Sequence, residues 1–173
     1  NDKGNYYPIW ATCMSFQLLA ILEANGKQKY RNNNILDSIP KFGLDNLYLK
    51  KNLSDSKLNT LFTKKQKKML KNRNSTYHNH NNSFYLDNEI IVKLKDKINI
   101  IGINKDSKNK SYLSVYEYKN YPFYAVLFHP EYPLINKKRI NNNVRKKETM
   151  LLSDTFGKFF INECKKNKNI IKT

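Results

Sequence analysis

Apolar and polar positions along the chain alternate between strand-like and helix-like stretches. Tyr7 to Thr12 is a short aromatic and apolar run with Pro8 near its start, which predicts a buried strand. Met14 to Asn25 follows at once. Its Phe16, Leu18, Leu19, Ile21 and Leu22 wrap more than one face, which predicts a largely buried helix stopped at Gly26. Residues 27–40 are polar and loop-like, with room for one short strand at Ile35-Leu36, and Leu44 to Leu49 alternates weakly. Leu58 to Leu70 sets Leu58, Leu61, Phe62 and Met69 on one side and lysines on the other, the pattern of an amphipathic helix. Residues 72–83 form an asparagine-rich polar tract holding His78 and His80, and read as a solvated loop. Asp87-Asn88-Glu89 opens a helix, or a short strand through Ile90-Ile91-Val92. Ile98 to Asn104 and Tyr112 to Tyr118 read as strands joined by a turn over 105–110, and Tyr121 to Phe128 as one more. Residues 132–147 read as a basic loop insertion. Glu148 to Lys166 reads as a helix whose buried stripe is Met150, Leu151, Phe156, Phe159, Phe160 and Cys164, and the tail 167–173 is expected to fray.

Strands alternating with helices predict an α/β fold, and the hairpin order of the later strands makes its sheet mixed. At 173 residues the length fits one domain. The formal net charge is +18, carried by runs such as Lys64-Lys65-Gln66-Lys67-Lys68. These runs are scattered and carry no nucleic-acid-binding motif, so they read as solvated surface with a general attraction to polyanions and no specific nucleic-acid partner. No apolar run is long enough to span a bilayer. Two cysteines are too few for a disulfide scaffold.

The candidate chemistry gathers at Cys13. An apolar run ends there and a helix-like run begins directly after it, so the thiol sits on a strand-to-helix turn. A helix N-terminus favours a thiolate, the nucleophilic form of cysteine. Far downstream, Tyr121 to Phe128 delivers His129-Pro130-Glu131. At the end of a strand, residues 129 and 131 point to the same side, so Glu131 can reach the ring of His129 while Pro130 stiffens the link. A thiol, an imidazole as base and then acid, and a carboxylate to orient it are the parts of a cysteine hydrolase. The backbone N–H of Met14, directly after the nucleophile, is placed as an oxyanion donor. His78 and His80 lack further partners at metal-ligand spacing, and no metal or cofactor is implied.

These blocks resemble class I glutamine amidotransferase-like proteins, and within them the gamma-glutamyl hydrolases. The likeness rests on Asn1-Asp2 with Gly4, Tyr7-Pro8-Ile9-Trp10, Thr12-Cys13, Tyr121-Pro122 leading to His129-Pro130-Glu131, and Phe156-Gly157-Lys158-Phe159-Phe160-Ile161-Asn162-Glu163. The resemblance implies a mixed, mostly parallel sheet flanked by helices with an antiparallel extension. It also implies that residues 1–173 are the C-terminal portion of one domain, with the early strands and the second oxyanion donor outside them. The implied activity is cleavage of gamma-glutamyl amide bonds of folate poly-gamma-glutamates by Cys13, His129 and Glu131, with His78 and Gln17 as substrate-binding residues. The family also implies a secreted, lysosomal or vacuolar location and leaves room for a homodimer. The family's elbow reads Gly-x-Cys-x-Gly, whereas Ala11 and Ser15 stand at its flanks here. That departure leaves open a catalytically degenerate binding protein. Gln17, the residue of the glutaminase branch, leaves open a glutaminase.

Overall fold

The computed structural model describes residues 1–2, 4–25, 35–50, 53, 55–135 and 146–169. The stop expected at Gly26, most of the basic insertion and the end of the tail lie outside them. A mixed sheet runs in the order β1 (Ile9–Thr12), β7 (Phe123–Val126), β6 (Ser111–Tyr118), β5 (Ile98–Lys105) and β3 (Tyr48–Leu49). β1 pairs in parallel with β7, and the other three pairings are antiparallel. The fold is α/β as expected, with its parallel part among the described strands confined to β1 and β7.

Helices cover both faces of this sheet. On one face α1 (Met14–Asn25) and α4 (Glu89–Leu94) bury Phe16, Ala20, Ile90 and Leu94 against Tyr112, Tyr116 and Ala125. On the other, α2 (Lys57–Thr60), α3 (Lys64–Asn72) and α6 (Lys147–Cys164) bury Leu58, Leu70, Leu152 and Phe156 against Val115, Val126 and Phe128. A short helix, α5 (Tyr132–Ile135), follows the His129 turn.

Several local expectations are corrected. The helix read across 58–70 is broken in two, because Ser56 caps α2 and Thr63 caps α3 with a reciprocal Thr63–Gln66 capping box. Leu70 rather than Met69 is the fully buried residue of α3. The polar tract forms β4 (Thr76–Ser83), paired antiparallel with β2 (Asp37–Asp45), where a loop through residue 40 was expected. In α6 the buried stripe includes Leu152, Phe156 and Glu163, while Cys164 is exposed. Glu163 turns inward because partners await it. Tyr124 Oη donates to its carboxylate at 2.6 Å, Tyr6 Oη also donates to it, and Lys57 and Lys166 pair with it.

Candidate active site

Cys13 occupies the single residue between β1 and α1. Its φ is +55°, a left-handed conformation that costs a non-glycine residue about 1–2 kcal/mol. The flanking bonds hold it there. Cys13 N donates to Val126 O at 2.9 Å, extending the β1–β7 ladder, and Cys13 O accepts from Gln17 N at 3.3 Å, starting α1. Ala11 at the elbow is buried and paired in register with Ala125, so two small side chains sit beneath the turn. Met14 is the first residue of α1, so its N–H is among the helix-start donors that have no intrahelical acceptor.

The end of β7 brings His129 to the same place. Its side chain hydrogen-bonds that of Cys13, and its Nδ1 lies 2.7 Å from Glu131 Oε1. With Nδ1 engaged by the carboxylate, Nε2 is the nitrogen left for the thiol. These bonds to Cys13 and then Glu131 outweigh burial and push the His129 pKa up to about 10. A group raised in this way stabilises the fold fully below its free value of 6.5, and that contribution fades as pH rises through about 10. At neutral pH the proton therefore stays on the ring.

β4 lies along this pair. Among the described strands its ladder partner is β2, and its other edge faces the site. Tyr77 O accepts from His129 N at 2.8 Å, and Cys13 Sγ stands 3.8 Å from Asn79 O. Gln17 Nε2 donates to Asn82 O at 2.6 Å, tying α1 to the same strand. The sequence reading missed this strand as a wall of the site. The signal available was the period-two spacing of Thr76, His78 and His80 in an otherwise polar run.

His78 is completely buried, and both its ring nitrogens are engaged, Nε2 with Thr76 Oγ1 at 2.9 Å and Nδ1 with His80 Nε2 at 3.1 Å. Burial, then the charges of His80, Lys41 and His129, hold its pKa well below 6.5. Burial also lowers His80 to about 4, against a partial rise from the Ile39 carbonyl. The sign of the linkage is opposite to that of His129. The unfolded chain takes up these protons below pH 6.5 while the folded chain refuses them, so stability drains as pH falls from 6.5 towards 4. His80 alone accounts for about 3 kcal/mol over that window. Thermal melts at stepped pH should show this acid loss, and His80→Phe should flatten it; melts of both proteins that fall in parallel would contradict it.

Among the described residues no group of three or more His, Cys, Asp or Glu is placed to hold a metal ion, and no helix is long and apolar enough to cross a membrane.

A cysteine on a strained strand-to-helix turn thus stands beside a histidine–carboxylate pair that follows the neighbouring parallel strand. The glutamine amidotransferase class-I model matches residues 3–145, and the chain belongs to that family. Its curated relatives include gamma-glutamyl hydrolase of Rattus norvegicus, 31% identical over 96% of this chain and 50% of the rat protein. Gamma-glutamyl hydrolase B of Dictyostelium discoideum is 26% identical over 98% of this chain and 48% of its own length. The Homo sapiens gamma-glutamyl hydrolase is 25% identical over 99% and 52%. The chain thus spans about half the length of the curated relatives it matches. The solved structure of a putative GMP synthase component from Thermoplasma acidophilum aligns at 14% identity with a TM-score of 0.43, over 92% of this chain and 63% of that one.

Proposed function

We propose that this chain carries the nucleophile and the acid–base pair of a cysteine hydrolase that cleaves gamma-glutamyl amide bonds, with folate poly-gamma-glutamates as the substrate. The observation that carries the reading is the run of side-chain hydrogen bonds from Cys13 at φ +55° to His129 and on to Glu131. Cys13 Sγ attacks the gamma-carbonyl carbon, and the negative charge that develops on oxygen is met by the Met14 N–H. His129 donates its proton to the departing amine as the C–N bond breaks, leaving an acyl-enzyme. It then removes a proton from the incoming water, which releases the acid and returns the sulfur. Glu131 fixes the ring so that Nε2 faces the sulfur throughout. Gln17 serves the substrate side of the site by anchoring Asn82 of β4, whereas His78, expected to bind substrate, is completely buried with both ring nitrogens engaged and has no free atom to offer it.

The test is by product. The full-length protein, incubated with a gamma-linked glutamate oligomer and separately with glutamine, should release glutamate from the oligomer. Ammonia from glutamine with an intact oligomer would make it a glutaminase instead. Neither product, with equal iodoacetamide labelling of Cys13 and Cys164, would make it a binding scaffold.

A further inference from the structure

The turn from His129 to Glu131 must hold its place to within a fraction of an ångström, and contacts from two sides fix it. From the α6 side, Ser153 Oγ donates to Pro130 O. From the β4 side, one backbone bond joins His129 N to Tyr77 O. A further link is aromatic. The rings of Tyr77 and Tyr132 stack with centroids 4.5 Å apart and planes only 8° from parallel, and their hydroxyl groups hydrogen-bond each other. Tyr132 is also coupled directly to the turn. Its N–H donates to His129 O at 3.3 Å, and its ring centroid lies 6.3 Å from that of His129.

We infer that Tyr132, stacked on Tyr77, is a positioning residue that clamps the His129–Glu131 turn against β4 and thereby sets the distance from the imidazole to the Cys13 sulfur. It acts by fixing the one segment on which both His129 and Glu131 ride. Both tyrosines are half-buried, and each hydroxyl already has the other as its partner. An offset or stacked aromatic pair favours the docked turn over a loosened one by up to about tenfold beyond the effect of the area it buries. A displacement of roughly 1 Å at a reacting group can cost on the order of 100-fold in rate. This inference rests on the reading of Cys13 and His129 as the reacting pair, but its test does not depend on the substrate.

The experiment compares iodoacetamide alkylation of Cys13 across pH in the full-length protein, with exposed Cys164 as the internal standard. The variants are Tyr132→Leu, Tyr77→Leu and Tyr132→Phe. Leucine fills much of the volume without a planar face, and phenylalanine keeps the stack while deleting the hydroxyl. Both leucine variants are expected to lower the neutral-pH alkylation rate of Cys13 by about tenfold, because the imidazole no longer stands beside the sulfur to assist it. Tyr132→Phe should stay within about twofold of wild type, since one exchanged hydrogen bond is worth little. A leucine variant that melts cooperatively and keeps the wild-type profile overturns the inference. So does a tenfold loss in Tyr132→Phe, which retains the stack and needs no comparison with the leucine variants. If gamma-glutamyl bonds are not cleaved by wild type, the proposed function fails while this alkylation comparison still stands.

Discussion

Cys13→Ala should abolish the proposed gamma-glutamyl hydrolysis, with kcat falling on the order of 10⁴-fold or more. The substitution removes one sulfur from a half-buried turn, so folding should survive it, and relief of crowding at the elbow is small. KM for the oligomer should change little, because the walls of the site (the β4 edge and the α1 start) are built by other residues. The measurement is steady-state turnover in parallel with a thermal melt. Retained turnover in a variant with an unchanged melt would remove the thiol from the mechanism.

The second large effect lies at the other end of the molecule. Glu163→Ala should cost about 2–4 kcal/mol of stability, which for a domain of this size is a fall in Tm of about 10 °C. Glu163 is buried with 4% of its side chain exposed and is the shared acceptor of Tyr6, Tyr124, Lys57 and Lys166. Burial opposes its ionisation, but the hydrogen bonds from Lys166, Tyr124 and Tyr6 and the charge of Lys57 prevail and hold its pKa down to about 2. For a carboxyl lowered in this way the stabilisation is present above its ordinary value of 4.5 and is lost as pH falls towards 2. Alanine leaves the buried Tyr124 hydroxyl without its acceptor, whereas Lys57 and Lys166 are half exposed and can turn to water. Glutamine keeps an acceptor, so Glu163→Gln should recover about half the loss. Differential scanning calorimetry of the two variants decides this. Equal and small shifts would show that the network contributes nothing net.

The candidate site residues are legible in the sequence because their signals are local. A thiol between an apolar run and a helical run, and a His-x-Glu after a strand, each state their chemistry within a few positions. The β5–β6 hairpin and the strand β7 after it followed from strand and turn signals at 98–128. β4 was not legible, because its inward residues Thr76, His78 and His80 are polar and hydrogen-bond one another, and a reading based on hydrophobic alternation sees only polarity. Glu163 failed the same rule for the same reason: it is buried by partners from Tyr6, Lys57 and Tyr124, which lie far from it in sequence. The break between α2 and α3 was written in the Thr63-Lys64-Lys65-Gln66 capping box, and the amphipathic spacing across it masked that signal. The stack of Tyr77 on Tyr132 joins two segments whose proximity only the fold creates.

NMR titration of the His129 ring tests the account at its centre. In the wild-type protein its inflection should lie far above 6.5, near pH 10, and in Cys13→Ala it should drop, since the bond to the sulfur is the largest cause of the rise. A His129 ring that titrates near 6.5 in both proteins would mean that the two side chains do not share a proton.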